Sequence, residues 1–257
     1  MRAALRAAIP TLIPFVGVTL ILELVVRDGL VKSYLLPAPS AVLTAMIESR
    51  QELTTAMWKT SSAALLGFAL STLAGISIAV LLSSSPTIQR AFYPYAVFFQ
   101  TVPIIAIAPL LVIWFGYGMR TVIASAFVVS IFPVIANALS GILSTDPALR
   151  DLFRLYGASR SATLFKLRFP AALPQILTGL RVAAGLAVIG AIVGEFIGGE
   201  GLGSIVDVAR TQQRVDKVFA AVLLASVLGL ALFGMINAVS YVTLRRWHAS
   251  EQGDTQE

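Results

Sequence analysis

Few residues in this chain are of a type that can do covalent or phosphate chemistry, and their spacing rules most of it out. Lys32, Lys59, Lys166 and Lys217 are the only lysines, and none follows a glycine. The Gly-Lys-Ser/Thr loop that cradles nucleotide phosphates is therefore missing. The cluster Gly198-Gly199-Glu200-Gly201-Leu202-Gly203 approaches a dinucleotide-binding spacing, but Ser204 stands where the last glycine is required and no strand pattern precedes it. Cysteine is absent and His248, in a polar tail, is the single histidine. Thiolate metal sites, a disulfide framework and a nucleophile–histidine dyad are thereby excluded.

What remains is a small set of polar groups inside apolar runs, together with one basic segment. The apolar runs set the context. Thr60 to Gln89, Ala91 to Met119, Thr121 to Thr145 and Val218 to Leu244 contain no Asp, Glu, Lys or Arg. Ile9 to Val26 is broken only by Glu23, and Pro174 to Ile197 only by Arg181 and Glu195. About 20 apolar residues cross a hydrocarbon core of about 30 Å, so each run is long enough for a transmembrane helix. Composition agrees, with 57% hydrophobic and 12% charged residues and a mean hydropathy of +0.86. The reading is an all-α membrane bundle of six spans forming one transmembrane domain over residues 1–257. Arg27-Asp28 follows the first apolar run and no small-residue cleavage site does, which favours an uncleaved first span over a secretory signal.

A net charge of +6 and a pI near 10.0 would suggest nucleic acid in a soluble chain. Here the positive-inside rule accounts for them, and no nucleic-acid partner is expected. Arg150, Arg154, Arg160, Lys166 and Arg168 all lie in the loop between spans four and five, which reads as cytoplasmic. Six spans then place both termini inside, with Arg2, Arg6, Arg245 and Arg246 and the polar tail 245–257. Pro39 to Lys59 carries Val42, Leu43, Met46, Ile47, Leu53 and Met57 at helical spacing opposite Glu48, Arg50 and Glu52, which predicts an amphipathic helix along the outer interface. Ser204 to Lys217 reads as a short external helix leading into span six; both stretches also suit solvated connectors.

Small residues four apart, Gly67-Ser71-Gly75, Ala183-Ala187-Ala191 and Ala221-Ala225-Gly229, predict close helix packing. Pro94, Pro103 and Pro109 in span three and Pro133 in span four predict kinks. Gln100, Thr101, Asn137 and Glu195 are polar at membrane depth and are candidates for a translocation pathway. The alternatives are interhelical hydrogen bonds for the first three and, for Glu195, a capping role at the external interface. Glu23, near the outer end of span one, is expected to snorkel.

The basic segment, Asp146 to Pro174, resembles the cytoplasmic loop of binding-protein-dependent ABC importer permeases, whose signature is Glu-Ala-Ala, three residues, Gly, nine residues, then Ile-x-Leu-Pro. Gly157 matches the glycine and Leu167-Arg168-Phe169-Pro170 the final motif, while Asp151-Leu152-Phe153 replaces Glu-Ala-Ala. Leu36 to Ser40, Pro109 to Gly116, Ala171 to Pro174 with Gly179-Leu180-Arg181, and Glu195 to Gly198 with Gly201-Leu202-Gly203 are similar to the nitrate/sulfonate/taurine branch.

The resemblance implies a bacterial inner-membrane permease working as a homodimer, with two ATPase subunits that bind ATP and Mg and with an external solute-binding protein. The permease itself would hold no cofactor and catalyse nothing. Residues 146–172 would form the coupling loop. A short helix about Leu149 to Ala158 would seat in the ATPase through Arg150, Asp151, Leu152, Phe153, Arg154, Gly157, Ala158 and Ser159, backed by Leu167 and Pro170. Sulfonate, taurine or nitrate would be the solute, with a pyrimidine precursor of thiamine or another vitamin as the alternative. A self-contained channel or secondary carrier would call for inverted repeats, which residues 1–130 and 131–257 do not display. A non-transporting scaffold would leave the Gly157 to Pro170 spacing unexplained.

Overall fold

The computed structural model describes residues 2–244, without the side chains of residues 2–9, 11 and 12. The tail 245–257, with Arg245, Arg246 and His248, and the side chains of Arg2 and Arg6 lie outside the described residues.

The described chain is helical throughout: α1 (Arg2–Arg27), α2 (Pro39–Glu48), α3 (Arg50–Ser83), α4 (Pro86–Thr101), α5 (Ile104–Phe115), α6 (Met119–Leu143), α7 (Pro147–Leu155), α8 (Arg160–Thr163), a π turn (Leu164–Arg168), α9 (Phe169–Gly198), α10 (Leu202–Thr211) and α11 (Val215–Leu244). Four segments are long and apolar enough to cross a membrane: α3, α6, α11, and the continuous α8–π–α9 rod from Arg160 to Gly198. α4 and α5 make a fifth only when taken together, because they meet at a 99° bend. The described residues thus hold four to five candidate spans where the sequence predicts six.

α6 is the central helix, packed along α9 on one side and α3 on the other. Missing side chains make that possible. A Cβ on Gly67 would lie 2.5 Å from Ala126 Cβ, one on Gly75 2.8 Å from Val134 Cβ, and one on Gly190 2.8 Å from the Ala126 Cα. Ala183, Ala187 and Ala191 are fully buried in the same core with Val122, Phe68 and Leu232. The predicted small-residue stripes of spans two and five are therefore packing faces. The stripe of span six is used only in part: Ala221 is buried, but nothing lies within 4 Å of a Cβ on Gly229.

Two expectations about the connectors change. The amphipathic stretch from Pro39 to Lys59 is divided at Ser49 (φ −97°, ψ 17°). Only α2 is a separate helix, and Arg50 to Lys59 forms the first turns of α3. With 34 residues, α3 is about 51 Å long and overshoots a 30 Å core by several turns, so this polar stretch is the emergent end of a span. Val42, Leu53 and Ala56 pack there against Leu202, Ile205, Ala220 and Ala221, whereas Leu43 and Ile47 stay exposed. Glu23, in turn, does not simply snorkel. Its carboxylate accepts hydrogen bonds from Ser40 N (3.0 Å) and Ser40 Oγ (2.7 Å) and pairs with Arg27. It satisfies the N-terminus of α2, whose N-cap residue Ala38 has no side chain that can do so.

The kinks are unequal. Pro94, Pro109 and Pro133 stay inside α4, α5 and α6, and the sharp break falls at Val102-Pro103, where Pro103 begins α5 as its N-cap. The two ends of the bundle are then distinct. α2, α10 and the first turns of α3 and α11 meet at one end. The last turn of α3, together with α7 and α8, makes the other.

Candidate functional site

The basic loop folds into a short capped helix. Asp146, its N-cap, accepts the Ala148 N–H at 2.8 Å, and Pro147 takes the first helical position, where a missing N–H costs nothing. At the other end Ala158 N–H donates to Phe153 O (2.9 Å) and Gly157 N–H to Arg154 O (3.0 Å), the paired bonds of a Schellman stop. That stop needs the left-handed conformation that Gly157 adopts (φ +66°), which is the physical reason for glycine at this place in the signature. The expected helix over Leu149 to Ala158 is found a few residues earlier, at Pro147–Leu155.

α7 is strongly two-faced. Leu149, Leu152, Phe153 and Tyr156 recur at helical spacing on one face, with Tyr156 83% and the flanking Leu155 85% exposed. Arg150, Asp151 and Arg154 occupy the other face and line a cleft of about 810 Å³ shared with Ser83 and Ser84 at the end of α3 and with Arg160 and Arg168. Asp151 and Arg154 nevertheless stay 71% and 88% exposed at the rim of that cleft, while on the apolar face Leu149 and Leu152 are part-exposed and Phe153 is half-buried. Ser159 caps α8, its Oγ accepting the Ala162 N–H at 3.1 Å, and Leu167 falls in the π turn. That turn has a local cause: Pro170 has no N–H to give to the Lys166 carbonyl and crowds it, so the helix widens by one residue just before α9 begins.

At the opposite end Glu195 is 2% exposed. Its Oε2 accepts the Gly203 N–H at 2.7 Å, and the adjacent Leu202 N–H donates to Thr60 Oγ1 at 2.9 Å. These are the first two N–H groups of α10, so α9 and α3 together cap that helix. The glycines allow it: a Cβ on Gly201 would lie 2.1 Å from Glu195 Oε1 and 2.6 Å from Thr60 Oγ1, and one on Gly203 2.5 Å from the Ile192 carbonyl. Ser204, which spoils the dinucleotide spacing, folds its hydroxyl onto Gly201, accepting the Gly201 N–H at 3.0 Å. Around this junction Lys59 pairs with Glu200, Lys217 with Glu52 (2.6 Å), and Arg214 with Asp216 (2.9 Å) and Glu48 (3.9 Å).

The four candidates at membrane depth are dispersed. Gln100 and Thr101 are exposed at the α4–α5 break, with Thr101 Oγ1 donating to Phe98 O (2.7 Å). Asn137 donates to Pro133 O (2.9 Å) and lies against Gly179 of α9. Among the described residues no hydrogen bond joins Gln100 or Thr101 to Asn137 or Glu195. The sequence reading missed Thr60 and Ser40, ordinary hydroxyl residues that carry no signal apart from the carboxylate-bound helix they meet in space.

Residues 71–241 match the family model described as the binding-protein-dependent transport system inner membrane component. The chain belongs to this family. It is therefore the permease component of an ABC transporter, a multi-pass membrane protein that is not itself an ATPase. The permease is 36% identical over 246 residues to the formylaminopyrimidine transport permease protein of Halalkalibacterium halodurans, covering 95% of this chain and 98% of that one. It is 39% identical over 231 residues to a probable ABC transporter permease protein of Haemophilus influenzae (86% and 91% covered), and 29% identical over 231 residues to the taurine transport system permease protein of Escherichia coli (87% and 84%). Its fold is similar to that in the inward-facing structure of the MetNI methionine ABC transporter, with a TM-score of 0.69, 16% identity, and 76% of this chain and 98% of that one covered.

Proposed function

We propose that this permease works as a homodimer with two ATPase subunits and an external solute-binding protein, and that α7 is the helix the ATPase engages. The observation that carries the reading is that α7 is a short helix capped at both ends with Leu149, Leu152 and Tyr156 of its apolar face exposed. Leu152 and Phe153, which stand where the family signature has two alanines, enlarge that face. The ATPase would bind one arrangement of the two permease copies better than the other, so nucleotide-driven closure shifts the bundle between inward-open and outward-open states. α1, with 26 residues, is the sixth span, about 39 Å long. Residues 146–172 and both termini then face the cytoplasm, and α2 and α10 the outside.

Gln100 and Thr101 line the pathway in this reading. Unpaired backbone at membrane depth is tolerated only where protein or water covers it, and the α4–α5 break beside these residues is uncovered in the single chain. Asn137 and Glu195 are engaged by α9 and α10 and act as positioning residues. Of the solute classes expected from sequence, we place a formylaminopyrimidine-type precursor ahead of sulfonate, taurine or nitrate, because the relative named for that solute is similar over nearly the whole of both chains.

The chain lacks cysteine, so one introduced cysteine is unique. Leu152→Cys should crosslink to the co-purified ATPase, whereas Leu73→Cys, exposed on α3, should not; the reverse result removes α7 from the interface. A reporter after Ser159 should read as cytoplasmic and one after Asp207 as external. Binding-protein-dependent uptake of labelled formylaminopyrimidine, undiminished by taurine or nitrate, is the expected specificity, and uptake of taurine or nitrate in its place reverses the order of solutes.

A further inference from the structure

The cleft behind α7 holds more positive charge than topology alone requires. Arg150, Arg154, Arg160 and Arg168 line it with a single acid, Asp151. Four positive charges less one negative leave a net +3 on the lining. Asp151 is 3.9 Å from Arg154, and among the described residues no carboxylate pairs with Arg150, Arg160 or Arg168. Arg150 and Arg168 repel one another, and Arg168 Nε is buried with no acceptor. Guanidinium groups crowded into one concavity are relieved by an anion, and their forked donors fit phosphate oxygens.

Position narrows the occupant. The cleft lies between the polar face of α7 and the last turn of α3, at Ser83 and Ser84, where the candidate span ends. Leu149, Leu152 and Tyr156 do not line it, so a protein held by those side chains would leave it unfilled. The π turn contributes as well: one extra residue rotates everything before it by about 100° relative to α9 and so sets how Arg160 stands with respect to Arg168.

We propose that this cleft binds a phosphate-bearing anion, supplied either by the headgroup of an anionic phospholipid in the adjoining leaflet or by free phosphate. A bound anion would hold α7 against the end of α3 and so tie the position of the coupling helix to the charge of the membrane. The proposal takes the cytoplasmic placement of the loop from the functional reading but does not depend on α7 docking.

The test uses the permease–ATPase complex in an uncharged detergent, titrated with dioleoylphosphatidylglycerol, dioleoylphosphatidylcholine or inorganic phosphate. Lipid retention is read by native mass spectrometry and phosphate binding by thermal unfolding. Phosphatidylglycerol held about tenfold more tightly than phosphatidylcholine, with the preference lost in Arg160→Gln and Arg168→Gln but kept in Arg210→Gln at the far end, supports the site with lipid as its source. Stabilisation by millimolar phosphate that disappears in the same two variants supports it with phosphate as the source. Equal retention of both lipids with no phosphate effect, or a preference that survives both substitutions, overturns it. Arg160 is exposed, so its variant keeps the fold and remains informative if Arg168→Gln does not. Leu152→Glu should lose coupling yet still hold the anion, which separates failure of this site from failure of the docking assignment.

Discussion

The two ends of the bundle solve opposite problems with the same kinds of residue. At the end built from α2, α10 and the first turns of α3 and α11, charges are matched: Lys59 with Glu200, Lys217 with Glu52, Arg214 with Glu48 and Asp216. Buried Glu195 and Thr60 take up the N–H groups of α10. At the end built from α7 and α8, three of the four arginines in the cleft lack an acid, and Leu152, Leu155 and Tyr156 stay exposed. The first end is completed by its own chain; the second, in the function proposed above, is completed by its partners. A rim joined across four helices can move as one piece, and a short capped helix on a basic cleft can be moved by what binds it.

The largest effect is expected from Gly201→Val, because its Cβ would fall 2.1 Å from Glu195 Oε1. Overpacking of this kind costs about 1–3 kcal/mol or more, so membrane abundance should collapse; normal abundance would show that the matched end is looser than its geometry. Leu152→Glu should do the reverse at the other end, leaving abundance and melting temperature intact while transport and its coupled ATP hydrolysis are lost. A parallel fall in abundance would mean that α7 supports its own chain rather than a partner.

Glu195→Ala is next. It leaves the Gly203 N–H buried without an acceptor, at a cost of about 1–3 kcal/mol, and abundance should fall together with transport. Glu195→Gln keeps an acceptor for Gly203 and should be milder. Reduced transport per folded protein at unchanged abundance in Glu195→Gln would instead put this side chain on the solute path.

The smallest effect concerns acid. The Glu200 carboxyl is held below its ordinary range, first by the hydrogen bond from Lys59 and then by its charge. A depressed carboxyl contributes stability that is fully present above the ordinary glutamate range, near pH 4.3, and is lost as pH falls through the lowered folded value. The difference in melting temperature between the wild type and Lys59→Gln should therefore be present at pH 7 and shrink below about pH 4. A constant difference would assign it to packing of the lysine stem.

Much of this contrast is legible in the sequence, but unevenly. Asp146, Pro147 and Gly157 act on their own backbone, and the helix they bound is found within a few residues of its expected place. The stripes Gly67-Ser71-Gly75 and Ala183-Ala187-Ala191 are legible because four-residue spacing is a property of one helix. Ala221-Ala225-Gly229 has the same spacing and is only partly used, since spacing names a face and not what lies opposite it. The amphipathic pattern from Pro39 to Lys59 reads through Ser49, where the chain breaks, because the apolar period is similar on both sides.

By itself the sequence determined that this is a cysteine-free helical membrane permease without a nucleotide-binding loop, carrying one capped, basic segment. Apolar length, missing residue types and helix-end chemistry are all decided within a few neighbours along the chain. Only the tertiary structure decided that Glu195 meets α10, that Thr60 on α3 completes that cap, that α4 and α5 meet at a 99° bend at Val102-Pro103, and that four arginines from separate turns share one cleft. Each of these depends on which groups come within about 3 Å across helices distant in sequence, a distance fixed by close packing of backbones rather than by any local preference.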